Sequence, residues 1–134
     1  MTPAEYNRAF QKRTKAFALA VIKLTEELPK RTAAFVISKQ LIRAATSVAA
    51  NYRASCIARS DKERYAKLCI VIEEADESLY WLEVSKEAGL ITVPLIDELM
   101  KEANELVCIF NASDITAKRR GNQNLKISKS QNQK

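Results

Sequence analysis

Residues 43–63 read RAATSVAANYRASCIARSDKE, and this stretch decides the fold. Ala44, Ala45, Ser47, Ala49, Ala50, Ala54 and Ser55 make it thin, and it contains no glycine. Alanine is the best helix former, and small side chains let two helix axes approach towards the low end of the ~8–10 Å range. Arg43, Arg53 and Arg59 punctuate the run. Ser60-Asp61-Lys62-Glu63 then supplies a fresh start signal, a hydroxyl cap followed three residues later by a glutamate. A thin helix that ends beside the start of another is the signature of closely packed antiparallel helices.

Working outward, the flanking segments carry the same period. The first helix opens at Thr2-Pro3-Ala4-Glu5, where Thr2 caps, Pro3 suits the first turn and Glu5 completes a capping box. Phe10, Thr14, Phe17, Val21, Leu24 and Leu28 follow at alternating spacings of four and three, a heptad seam. Pro29 stops it. The second helix is expected from about Thr32 to Ala58, with a seam of Ile37, Leu41, Ala44/Ala45, Val48 and Tyr52. The third starts at Ser60, with Tyr65, Leu68, Ile72, Ala75, Leu79 and Leu82 as its seam and Gly89 as its stop. The fourth begins near Thr92 and carries Leu95/Ile96, Leu99, Ala103, Leu106 and Phe110 to about Ala117. These four segments and their short connections predict an all-α, up-down-up-down antiparallel four-helix bundle over residues 1–118, with an open helical array as the alternative. Residues 119–134 are polar, basic and aperiodic, the composition of a disordered tail.

Composition bounds the function. The chain has 134 residues, 47% of them apolar, enough for one packed domain. The two glycines and three prolines argue against a turn-rich β fold. Three unevenly spaced cysteines make neither a disulfide framework nor a zinc pattern, and they read as reduced thiols of a cytoplasmic protein. No signal peptide is visible, and no apolar run reaches the ~18 residues of a membrane span. Histidine is absent, which removes the commonest general base and metal ligand. No phosphate loop, nucleophile elbow or metal motif replaces it, so no cofactor, metal or catalytic residue is expected.

Charge is unevenly laid out. Residues 1–64 hold 13 Lys and Arg against 5 Asp and Glu. Residues 65–110 hold 3 against 10, and residues 111–134 hold 6 against 1. A basic half, an acidic half and a basic tail imply attraction between halves, within or between chains, and a polyanionic partner. On the first helix Arg8, Lys12, Lys15 and Lys23 lie opposite the seam, and on the second Lys39, Arg43 and Arg53 do the same. Arg8, Lys12, Lys15, Lys39, Arg43 and Arg53, with Lys118, Arg119 and Arg120, are the candidate contacts to RNA or DNA phosphates. Aromatic residues do not interleave with them, so stacking on single-stranded bases has little support.

Two features point to contacts between subunits. On the third helix Ile70, Glu74, Glu77, Trp81 and Val84 form a second row opposite the expected seam. One core cannot cover both sides of one helix, so the row is expected at an interface. Arg59 is expected to project towards the core and to need a carboxylate, with Glu77 the preferred partner.

These residues also carry a resemblance. RAATSVAANYR at 43–53, Ala58-Arg59-Ser60 and EADESLYWL at 74–82 resemble the four-helix-bundle proteins encoded in intervening sequences of bacterial 23S rRNA genes. The resemblance spans roughly residues 5–110. It implies a bundle assembled into a ring-shaped homo-oligomer, commonly a pentamer, with no agreed catalytic role for Arg43, Asn51, Arg53, Arg59, Glu74 or Glu77. A related branch, the accessory proteins of diversity-generating retroelements, is similar in fold and length; those rings are basic and bind nucleic acid and a reverse transcriptase. The leading expectation is therefore a non-enzymatic homo-oligomer that binds RNA or DNA with low sequence specificity. The rivals are a scaffold that docks a protein partner such as a reverse transcriptase, and a small enzyme built on Glu73, Glu74, Asp76 and Glu77.

Overall fold

The computed structural model describes the backbone of residues 1–132 and the side chains of residues 1–113. Four helices account for nearly all of it: α1 Pro3–Thr25, α2 Thr32–Cys56, α3 Asp61–Glu87 and α4 Pro94–Asn132. Each helix packs against the next, and α1 also meets α4, which closes the arrangement around one core. The connections are short, so consecutive helices run antiparallel. The helix bounds carry α4 past Ala117, where the sequence reading ends it; no proline follows Pro94 to stop it. The tail expected over 119–134 otherwise lies outside the residues whose side chains are described.

The ends are built from the residues that announced them. Thr2 Oγ1 accepts from Glu5 N–H at 3.1 Å and Glu5 Oε2 accepts from Thr2 N–H at 3.1 Å, a complete capping box. At α3 only half of the expected box forms. Ser60 Oγ accepts from Glu63 N–H at 3.1 Å, but the Glu63 carboxylate reaches back to Arg59 N–H at 3.2 Å. Gly89, with φ at 69°, closes α3 in the left-handed conformation that glycine adopts without strain. Leu90 N–H donates to Ser85 O and Gly89 N–H to Lys86 O, both at 3.0 Å, a Schellman motif.

The core follows the expected seams on α1, α2 and α4. Phe17, Val21, Leu24, Leu41, Val48, Tyr52, Ile96, Leu106 and Phe110 are buried. Ala44 and Ala45 are fully enclosed, as close packing of a thin helix requires. On α3 the seam differs from the one expected. Leu68, Val71, Ala75, Ser78, Leu82 and Ser85 are buried, whereas Tyr65, Ile72 and Leu79 are half-buried. Two serines on this face disguised it in the sequence. Their hydroxyls are satisfied locally, Ser78 donating to Glu74 O at 2.8 Å and Ser85 to Trp81 O at 2.7 Å.

Phe10, Tyr52 and Phe110 form an aromatic cluster that joins α1, α2 and α4, with ring centroids 5.2–6.1 Å apart. Tyr52 is 1% exposed, and its Oη has no hydrogen-bond partner among the described residues. Burial, then the neighbouring Cys56 thiol, pushes the phenol well above its ordinary value. A buried hydroxyl without a partner carries a desolvation cost that a hydrogen atom would not. Tyr52→Phe is therefore expected to stabilise the protein by about 1 kcal/mol in urea unfolding. Because the folded state disfavours the phenolate, the wild type is fully stable below pH ~10 and loses stability as pH rises above it. Tyr52→Phe should flatten that alkaline limb, and an unchanged limb would place its origin elsewhere.

Candidate nucleic-acid interface

Between Glu5 and Glu26 no acidic residue occurs in α1, and α2 contains none at all. These two helices nonetheless carry Arg8, Lys12, Arg13, Lys15, Lys23, Lys39, Arg43 and Arg53. Two of these cations are consumed within the fold. Arg13 crosses to α4, where Nε donates to Glu102 Oε2 at 2.9 Å and Nη2 to Glu102 Oε1 at 2.5 Å and Glu105 Oε2 at 2.9 Å. Arg43 crosses to α3, where Nη1 donates to Glu74 Oε2 at 3.0 Å and Nη2 to Glu77 Oε2. Each arginine thus grips two glutamates three residues apart on the facing helix. The hydrogen bonds and charge of these carboxylates outweigh desolvation and raise both guanidinium pKa values, Glu102 acting first on Arg13 and Glu77 first on Arg43.

Arg43 is accordingly not the free phosphate-binding cation that its position opposite the α2 seam implied. Arg8, Lys12, Lys15, Lys39 and Arg53 keep that role open. All five are exposed, and none makes an ion pair among the described residues. Lys39 Nζ instead sits 4.6 Å from the centre of the Phe35 ring. Arg8, Lys12 and Lys15 succeed one another at spacings of four and three, one exposed edge of α1. Lys118, Arg119 and Arg120 lie outside the residues whose side chains are described.

The row expected at a subunit interface is largely spent inside the chain. Trp81 and Val84 pack on the cluster of Ala34 and Ile37 from α2 and Leu90 beyond α3. Trp81 Nε1–H points to Glu77 Oε1 at 3.4 Å, and Ile70 is half-buried. Arg59 also departs from expectation. It is exposed, and the Glu77 carboxylate meant for it belongs to Arg43. The cation that meets these α3 carboxylates comes from the middle of α2 rather than from beyond its end.

No cluster of three or more Cys, Asp or Glu suited to a metal occurs among the described residues. Glu74 and Glu77 are committed to Arg43, and Glu73 and Asp76 face solvent. The Arg43 guanidinium, aided by the Trp81 indole, holds the Glu77 carboxyl below its usual value. No helix among the described residues is long and apolar enough to cross a membrane.

The Arg43 cluster generates a thermodynamic expectation. Arg43 is 47% exposed, so solvent screening limits each of its two pairs. Double-mutant cycles of Arg43→Ala with Glu74→Ala or Glu77→Ala should each return about 0.2–1 kcal/mol of coupling at neutral pH. Since the folded-state pKa of Glu77 is lowered, its contribution is present above pH ~4.3 and is lost as pH falls through the folded value. Zero coupling at neutral pH would remove the cluster from the stabilising interactions.

Comparison with known proteins adds the family. A crystal structure of a protein of unknown function from the S23 ribosomal protein family of Bacteroides thetaiotaomicron VPI-5482 is similar, with a TM-score of 0.71 and 29% identity. The match covers 78% of this chain and 96% of that one. Among curated proteins, none matches. The sequence model of the 23S rRNA-intervening sequence proteins matches residues 7–112, which hold the whole helical core described above, and the chain belongs to that family.

Proposed function

We propose that this protein is a non-enzymatic, self-associating bundle that binds RNA or DNA phosphates through the exposed surface of α1 and α2. The observation that carries the reading is the set Arg8, Lys12, Lys15, Lys39 and Arg53. These cations stand on two helices almost without carboxylates and are left unpaired where Arg13 and Arg43 are neutralised. Cations without protein partners are the groups that release counterions when a polyanion binds. Nothing on this surface reads bases. The exposed aromatic nearby, Phe35, lies beneath Lys39 rather than in a row of stacking platforms. Contacts to phosphate position a partner without specifying its sequence. A homo-oligomer would repeat the surface and convert modest affinity per copy into avidity, provided several copies engage one strand.

The test is a titration of labelled structured RNA and duplex DNA at several salt concentrations. The wild type should bind both with similar affinity, and log K should fall linearly with log salt. Each of Arg8→Glu, Lys12→Glu and Arg53→Glu should lower that slope by about one unit. Arg43→Gln, which removes a cation already neutralised by Glu74 and Glu77 without adding a carboxylate, should change the slope far less. No binding at low salt, or slopes unmoved by the three reversals, would overturn the reading and favour docking of a protein partner.

A further inference from the structure

The turn between α2 and α3 gathers polar groups to which the fold gives no partner. A solvent-open recess of about 390 Å³ sits there, and its polar lining is Ser55, Cys56, Arg59, Ser60, Asp61 and Arg64. Arg59 is exposed and Arg64 half-buried, and neither makes an ion pair among the described residues. The two serines are committed. Ser55 Oγ donates to Tyr52 O at 2.6 Å, and Ser60 Oγ caps α3. Asp61 is the one carboxylate on the lining, so two guanidiniums leave the recess net positive.

The orphan hydroxyl of the core borders this recess. Tyr52 is 1% exposed, and its Oη has no partner among the described residues. Phe10 and Phe110 hold its ring. Besides burial, the groups that act on its phenol are Cys56 first, then Tyr6 and Arg64. Cys56 and Arg64 both line the recess, so the hydroxyl end of the ring faces the recess wall. An unsatisfied buried hydroxyl is rare in a native core and calls for a partner outside the chain. Phenylalanine would fill the same space without the desolvation cost, so packing does not account for the oxygen.

We infer that this recess binds a phosphate group, with Arg59 and Arg64 gripping its oxygens and the Tyr52 hydroxyl as a third donor from the buried side. Forked guanidiniums match the oxygens of a phosphate. The three donors come from the last turns of α2, from the connection and from the first turn of α3. A carboxylate, with two oxygens in one plane, would leave a donor unmet. A recess takes a terminal phosphate, such as a free phosphate ester or the end of a nucleic-acid strand carries, more readily than a phosphate with strand on both sides. The site is separate from the cations of the α1–α2 surface, and its first test contains no nucleic acid.

Amide-resolved NMR on the full chain at constant ionic strength tests it, with inorganic phosphate as the probe. Phosphate should shift the amides of residues 55–64 saturably, and acetate should not. Arg59→Gln and Arg64→Gln should each weaken phosphate binding by about tenfold, as loss of a hydrogen bond to a charged group does. Tyr52→Phe, which keeps packing and charge, should weaken it by about fivefold. Asp61→Asn should tighten it by about threefold, because it removes the opposing charge. Lys101→Gln, at an exposed lysine of α4, should change nothing. Dispersed spectra verify that each variant folds. Shifts that do not saturate, that survive both arginine variants or that acetate reproduces would overturn the site. Unchanged binding by Tyr52→Phe would overturn the part given to its hydroxyl. A second arm compares one oligonucleotide with and without a 5′ phosphate. Tighter binding of the phosphorylated strand, lost in Arg64→Gln, assigns the site to strand ends. Equal binding of the two strands, with inorganic phosphate still bound, assigns it to free phosphate esters. Failure of this site leaves the α1–α2 surface to be judged by its own salt titration.

Discussion

Close approach of α2 and α3 is the constraint from which the rest of the structure follows. α2 and α3 form the most extensive helix–helix contact of the bundle, and small side chains, Ala44 and Ala45 on α2 and Ala75, Ser78 and Ser85 on α3, are buried on these two helices. At that distance side chains on the flanks of the interface, not only those on the seam, reach across. Trp81 and Val84 find Ala34 and Ile37, and Arg43 finds Glu74 and Glu77. A leucine in place of Ala45 would push the helices apart and strain the core, a change that typically costs about 1–3 kcal/mol through overpacking, and it would loosen these flanking contacts together.

Charge is distributed with a corresponding economy. The basic helices α1 and α2 meet the acidic helix α3 and the acidic first half of α4 along two lines, and one arginine crosses each line to hold a pair of glutamates. The hydrogen bonds of these pairs fix which helix faces which, because Arg13 fits Glu102 and Glu105 only with α1 beside α4. Their net contribution to stability is modest at such exposure. Their larger effect is to separate neutralised cations at the seams from unneutralised ones on the outer surface of α1 and α2.

Much of this was legible in the sequence. The heptads of α1, α2 and α4, the caps at Thr2 and Ser60 and the stop at Gly89 each have a local cause, so local reading sufficed. The phase of α3 was harder. Its buried face includes Ser78 and Ser85, whose hydroxyls are satisfied by their own helix, and a hydropathy pattern counts them as polar. That error rotated the expected seam towards Ile72 and Leu79 and stranded Trp81 on what looked like an outer face. The partner of Glu77 was missed for a related reason. Which cation reaches a carboxylate on another helix depends on axial register between helices, and no spacing within one helix encodes it. The uninterrupted lack of acidic residues in α2 was visible throughout, and it is the feature on which the candidate interface stands.

The separation of charge across the bundle also gives the molecule a transverse electric dipole, perpendicular to its helices. In an approaching polyanion's field such a dipole experiences a torque before contact, turning the α1–α2 side forward. The field decays over a Debye length of about 8 Å at physiological ionic strength, close to the diameter of a single helix. For a polyanionic partner of the kind proposed above, orientation would therefore act only over the last step of approach, with ionic strength setting how many collisions arrive correctly turned, independently of how tightly an aligned complex holds.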